Sequence, residues 1–280
     1  MVNVQVSLGA LLPRLGRQAA AAVWVTITIL LLSGCAYHSP RLALHGEEAV
    51  AGRAAFRKLL GAQGICARAV DAEATVTLDL PWQSGTMAGY LQLMAPGYLK
   101  FIGVNPLGQP LLVLGSDGVD YRYVLPAERK LYEGRLAESS GSRFLPTGFD
   151  PRRSYYWLIG RLRPGQVRIG EVSGDSEGGG IWVQFRYEGE EPSELVLFDP
   201  RRLLLLRHLL LAKDGGTVLE VSYDAYSAGD CPLPGQVVVY GDNRFGRLVL
   251  RLGNWLPADA LTGADFSVTA PSDFVRIKIK

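Results

Sequence analysis

The chain has 280 residues, 48% of them hydrophobic, with 33 Gly and 16 Pro, which suits one ordinary domain or a large all-β one. Its formal charge is +2, and both excess positives, Arg14 and Arg17, lie in the first 35 residues. The remainder carries 27 basic and 27 acidic residues, which gives no basic footprint and no nucleic-acid partner.

Residues 1–35 read as a targeting segment. Arg14 and Arg17 form a basic region, and residues 19–32 are an apolar run, shorter than the ~20 residues that span a bilayer. The run ends in Leu32-Ser33-Gly34-Cys35. These are the parts of a secretory signal. The small residues before a cysteine resemble the lipobox of bacterial lipoproteins. That resemblance implies cleavage before Cys35 and lipidation of its thiol. Two or three acyl chains anchor a protein stably, because each buried methylene contributes ~0.8 kcal/mol. Ala36, where retention signals carry Asp, implies the outer membrane by resemblance to enteric sorting rules. A plain signal peptide or an uncleaved anchor is the other reading.

Residues 36–45 hold Pro40 and two of the three His and read as a short tether. Residues 46–280 then form a single domain. The stretch 46–61 predicts a helix. Glu47 and Glu48 suit the positive end of the helix dipole. Ala49, Phe56, Leu59 and Leu60 share a face that packs on a sheet, and Gly61 and Gly64 end it.

From Ile65 onward the period becomes two. Apolar and polar residues alternate through 74–80, and Pro81 stops the run. Strands follow at 86–95 and 98–104, then at 111–114, 119–124 and 130–133. Later runs are 166–172, 181–187, 194–198, 203–211, 217–222, 236–240 and 247–253. Turn signals recur between them. The pattern predicts a mainly β fold: a strongly curved antiparallel half-barrel of about a dozen strands.

Three places depart from plain patterning. The first is the turn Asn105-Pro106-Leu107-Gly108-Gln109-Pro110. Asn, Pro and Gly at its first, second and fourth positions suit a type I turn. Leu107 at the tip is not required by the turn. It either folds back onto the core or is presented to something outside. The second is the interval 136–164, which has no period-two run. Asp150 as N-cap, Pro151 at the first helical position and Gly160 just past the end predict a helix. Tyr156, Leu158 and Ile159 form an apolar cluster with Phe144 and Phe149. The helix either plugs a barrel end or covers a cavity. The third is 203–211, LLLLRHLLL, apolar on both faces. One face meets the core and the other meets something apolar.

Besides Cys35 there are Cys66, near the first strand, and Cys231, before the last strands. In an oxidising compartment an even pair is most simply a disulfide. No GxSxG, P-loop or HExxH motif occurs. His208 sits in a Leu-rich strand and reads as structural. Carboxylate pairs such as Glu190-Glu191 sit in turns and read as solvated. No catalytic residue, metal ligand or cofactor site emerges, so the chain reads as a non-enzyme.

Several segments, taken in order, resemble LolB, the outer-membrane receptor of the Lol lipoprotein-localisation system. They are the Asn105-Pro106-Leu107-Gly108 turn between strands and the hairpin after it, then Tyr156-Trp157-Leu158-Ile159-Gly160. Ile181-Trp182-Val183-Gln184-Phe185-Arg186-Tyr187, Cys231-Pro232-Leu233-Pro234 and the LRLGNW run at 250–255 complete the series. The resemblance covers roughly residues 47–256. It implies helices that act as a lid over an apolar cavity, with Phe144, Phe149, Tyr156, Leu158 and Ile159 at the lid. It implies that Pro106, Leu107 and Gly108 form a membrane-insertion loop. The implied partners are lipoprotein acyl chains, a LolA-like periplasmic carrier and outer-membrane lipid. The chain departs from the pattern in a shorter lid interval, the Cys66 and Cys231 pair and a tail beyond Trp255. An assembly lipoprotein that binds other envelope proteins, or a carrier of another lipid, fits the same residues.

Overall fold

The computed structural model describes residues 41–66, 68–136, 150–191, 193–241 and 246–279. Among them fifteen strands form one sheet. The first part of the chain supplies β1 (Arg41–Ala43), β2 (Ala69–Leu80), β3 (Gln83–Met94), β4 (Tyr98–Val104), β5 (Pro110–Ser116), β6 (Asp120–Leu125) and β7 (Lys130–Arg135). The second supplies β8 (Val167–Asp175), β9 (Ile181–Tyr187), β10 (Glu194–Asp199), β11 (Leu204–Leu211), β12 (Thr217–Asp224), β13 (Gln236–Tyr240), β14 (Arg247–Pro257) and β15 (Val275–Lys278). Helix α1 (Gly46–Gln63) precedes β2, and helix α2 (Pro151–Leu158) precedes β8. The spatial order is β1-β8-β9-β10-β11-β12-β13-β14-β2-β3-β4-β5-β6-β7-β15. The sheet is therefore curved but open, with β1 and β15 at its edges. Neighbours pair antiparallel except β15, which joins β7 in parallel.

Alternation decides which face each strand buries. In β2, Val70, Ala72 and Ala74 enter the main core, while Glu73 on the other face is exposed. Helix α1 lies on the same inner face. Its Phe56 is fully buried, with ring centroids 5.3 Å from Phe185 and 5.9 Å from Phe198. Each such aromatic contributes about 1.5–3 kcal/mol through burial. Gly52 lets the helix come close, because a Cβ there would lie 2.8 Å from Val172 Cγ1. Gly64 closes the helix, donating its N–H to Gly61 O.

A similar close approach joins β3 to β4. Gly89 faces Gly103 across the pair, and a Cβ on Gly89 would lie 2.1 Å from the Ile102 carbonyl oxygen. That atom is backbone and cannot swing aside. Gly89→Ala should therefore destabilise by at least about 1–3 kcal/mol. A denaturant midpoint unchanged from the parent would refute this packing.

Some elements differ from the sequence expectation. Arg41–Ala43, expected within the tether, pair with Ser173–Asp175 of β8. Leu203, expected to open β11, has φ 54° and belongs to the preceding turn. Its N–H donates to Asp199 O, and the Asp199 side chain accepts the N–H groups of Arg201 and Arg202. The second apolar face of β11 has its partner: Leu206, Leu209 and Leu211 pack with Trp182, Leu195 and Leu197 on the outer face.

The tail beyond Trp255 is also structured. A 3-10 turn (Gly263–Phe266) is held by a Thr262–Asp265 capping box. Phe266 is buried against Tyr98, and Val268 packs with Val124 and Leu131. Lys100 Nζ donates to Asp265 O at 2.6 Å. The tail thus covers the outer face of β4–β7 before β15 pairs with β7.

Candidate functional site

The inner face is largely apolar, interrupted at β10 and β11 by Glu194 and His208. Beyond the fully buried core, Val76, Leu78 and Leu80 of β2 lie beside Met87 of β3. Leu99, Leu112, Leu114 and Leu248 extend the row across β4, β5 and β14. All are only partly buried. Val76, Leu78, Leu80, Met87, Leu112 and Leu248 lie toward the end where β2 turns into β3 and β4 turns into β5, with Leu114 and then Leu99 farther from it. Aliphatic side chains of this kind offer contact without directional bonds, which suits hydrocarbon.

Helix α2 closes this face. Tyr155, Trp157 and Ile159 are buried in the main cluster, with Tyr156 and Leu158 half-buried beside them. The Tyr155 hydroxyl donates to Arg68 O at 2.6 Å, and burial pushes its pKa up to about 12. Gly160, at φ 64°, ends the helix against Tyr226, where a Cβ would lie 2.5 Å from the hydroxyl oxygen. The next segment is pinned to α1: Leu162 N–H donates to the Gln63 side-chain oxygen at 2.9 Å.

An ionic cluster centred on the buried Glu194 holds the other end of α2. Arg153 Nη1 donates to Glu194 Oε1 at 3.0 Å, and its Nη2 donates to Glu190 Oε2 at 2.5 Å. Glu194, 2% exposed, also lies 2.7 Å from His208 Nε2. Arg163 donates to the other Glu190 oxygen at 2.8 Å and lies over the Tyr187 ring. Burial alone would raise the Glu194 pKa. The hydrogen bond and charge of His208 and the charges of Arg153 and Arg163 outweigh it and hold the carboxyl below its ordinary value. The His208 Nδ1 and Tyr223 hydroxyl, both buried, have no hydrogen-bond partner among the described residues. Glu190, expected to be solvated, instead accepts from two arginines.

Pro106, Leu107 and Gly108 lie in the turn between β4 and β5. Asn105 organises the turn: its Oδ1 accepts the N–H groups of Leu107 and Gln109, each at 2.9 Å. Gly108 takes φ 77° and donates to Asn105 O. The backbone is thereby satisfied locally, and Leu107 is 82% exposed. It does not fold back onto the core. Cys66 and Cys231 are disulfide-bonded, with Cα atoms 5.6 Å apart, and tie the end of α1 to the β12–β13 connection. Cys35, Phe144 and Phe149 lie outside the described residues.

Sequence reasoning missed Arg153, Glu194, Tyr155 and Trp157 as parts of this site. The signal for the aromatics was present, because Tyr155-Tyr156-Trp157 is a dense aromatic run. No local signal pairs Arg153 with Glu194. A depression of about 480 Å³ opens on the outer face between Glu73, Thr75, Tyr90 and Arg251. Its polar lining and open shape do not suit an acyl chain. No group of three or more potential metal ligands occurs among the described residues.

No protein-family model matches the chain, and no curated protein matches it. Solved structures do. A domain described as an outer membrane lipoprotein-sorting protein from Vibrio parahaemolyticus matches with a TM-score of 0.52 at 12% identity, over 78% of this chain and 97% of that one. A DUF1329 family protein from Desulfovibrio piger gives 0.55 at 13%, over 77% and 97%. A LolA superfamily protein from Nitrosomonas europaea gives 0.52 at 10%, over 76% and 97%. At these identities the likeness shows that the chain shares its fold with these structures.

Proposed function

We propose that the protein is an outer-membrane lipoprotein, anchored through Cys35, that accepts acylated lipoproteins from a LolA-like periplasmic carrier and delivers them to the outer membrane. The observation that carries this reading is the apolar inner face, which α2 closes and which leads to the end bearing exposed Leu107. The shared fold with a lipoprotein-sorting domain supports it. So does the physics of the cargo. A lipoprotein carries two or three chains of ~16 carbons, and at ~0.8 kcal/mol per methylene their release into water costs tens of kcal/mol. Transfer must therefore run from one apolar surface to another.

In this scheme α2 lifts from the inner face to admit acyl chains, and Phe144 and Phe149 belong to the same lid. The Pro106-Leu107-Gly108 tip enters the bilayer during delivery. One exposed leucine contributes ~1.5–3 kcal/mol on burial, enough to orient the open end but not to anchor the protein. Leu107→Glu should fold with an unchanged melting temperature, accept cargo from the carrier and fail to deliver it. A cargo-transfer assay between carrier and vesicles checks this. Normal delivery by the stable variant would remove Leu107 from the mechanism. A carrier of another lipid would use the same inner face, and cargo identity distinguishes it.

A further inference from the structure

The sheet contains a step beside the Leu107 turn. Strand β3 pairs with β2 along its whole length, from Leu80↔Gln83 to Ala69↔Met94. Its pairing with β4 covers only Ala88↔Val104 to Met94↔Tyr98. Pro106 and Pro110 end β4 and delay β5 there, because proline removes a ladder donor. The five residues Gln83-Ser84-Gly85-Thr86-Met87 therefore have no strand on that side among the described residues. Edges of this kind are ordinarily blunted by Lys, Pro, charge or a bulge. This one carries none of them: Gln83, Ser84, Gly85 and Thr86 are all uncharged and exposed. The register runs through the step without a bulge, and a Cβ on Gly85 would meet nothing within 4 Å.

Hairpin geometry says which groups are free. With two residues in the turn, Leu80 and Gln83 form the hydrogen-bonded closing pair. Gln83, Gly85 and Met87 then bond to β2, and Ser84 and Thr86 turn N–H and C=O outward. The 3.0 Å approach of the Thr77 and Thr86 hydroxyls agrees, since side chains lie closest in the non-hydrogen-bonded pairs. Val76, Leu78, Leu80 and Met87 of the apolar inner face belong to this same hairpin.

We infer that the step from Gln83 to Met87 is a docking edge for an extended peptide, namely the segment that follows the acylated cysteine of a cargo lipoprotein. This rests on the acyl-binding reading above. Acyl chains on the inner face place that segment at the rim, within reach of the edge. Strand addition through Ser84 and Thr86 uses backbone groups alone. Small, uncharged side chains along the edge impose no sequence requirement, as a receptor for many cargoes needs. The chemistry is recognition of any extended chain tethered to fatty acyl groups.

The test is amide hydrogen exchange on the mature chain with three probes: a diacylated peptide of about ten residues, the same peptide without acyl chains, and phospholipid alone. The diacylated peptide should slow exchange at Ser84 and Thr86 by roughly tenfold or more. Phospholipid should protect the inner face and leave those two amides unchanged. Ser84→Pro, which removes an outward N–H and no native bond, should weaken binding of the diacylated peptide and not of phospholipid. Acyl binding without protection at Ser84 and Thr86 overturns the docking edge and leaves the acyl-binding reading standing. Protection before any peptide is added means that this chain or a second copy occupies the edge, and also overturns it. No binding of either acylated probe overturns both.

Discussion

Glu194→Ala should lower the melting temperature of the mature chain by roughly 6–20 °C. Glu194 is buried and contacts two basic groups, Arg153 and His208. Removing one partner of a buried pair typically costs about 3–5 kcal/mol, because the other is left uncompensated. For a domain of this size, each kcal/mol shifts the melting temperature by ~2–4 °C. Arg153 keeps Glu190 as a partner, so the lower half of the range is favoured. Glu194→Gln should fall between parent and Ala. A paired apolar replacement, Arg153→Met with Glu194→Leu, should recover much of the loss. That recovery would separate a costly charge from a needed one.

The pH dependence has a definite sign. The Glu194 carboxyl is held below its ordinary value in the folded protein. Its contribution is therefore present above the unfolded value of ~4.3 and fades as pH falls through the folded value. The gap in melting temperature between parent and Glu194→Gln should be full at neutral pH and shrink in acid. Calorimetry on both proteins across that window checks it. A gap that widened in acid would show that His208 or Arg153, and not the carboxylate, dominates.

Cys66→Ser with Cys231→Ser should destabilise the chain comparably. The bond joins positions 165 residues apart. Chain entropy assigns ~5 kcal/mol to a loop of that length, with less often delivered in practice. A fall in melting temperature on the order of 10 °C follows. Reducing and non-reducing scans of the parent should show the same difference. Coincident scans would mean that the native packing of α1 against the sheet holds the two segments without help.

Much of the sheet was legible because each strand carries its own period. The alternation in 74–80 continues backward through Val70 and Ala72, and β2 is longer than expected for that reason. The hairpins were legible from Gly, Pro and Asn at turns. The missed strands lack such local support. β1 is three residues long and exists through pairing with β8. β15 alternates Val275-Arg276-Ile277-Lys278, but its partner β7 lies far back in the chain and runs parallel. No turn connects them, so nothing local announces the pair.

The site divides along the same line. The Asn105–Gly108 turn is set by residues adjacent in sequence, and its chemistry could be read there. Whether Leu107 points in or out could not, since that depends on what the sheet leaves room for. The ionic cluster was illegible for a different reason. Arg153 and Glu194 are 41 residues apart, and each alone resembles a surface charge. Their burial follows only from α2 lying on the inner face of β10 and β11. The half-buried row from Val76 to Leu114 likewise requires the register of five strands.

The most direct measurement is native mass spectrometry of the mature domain, lacking the anchor, after purification from the periplasm and after incubation with a diacylated lipoprotein peptide. The expected result is a protein carrying acyl cargo, at one cargo per chain, with the mass of the bound species shifting when the peptide is exchanged. A domain that emerges empty and stays empty with the peptide in excess would contradict the acyl-binding inner face and leave a protein-binding scaffold in its place.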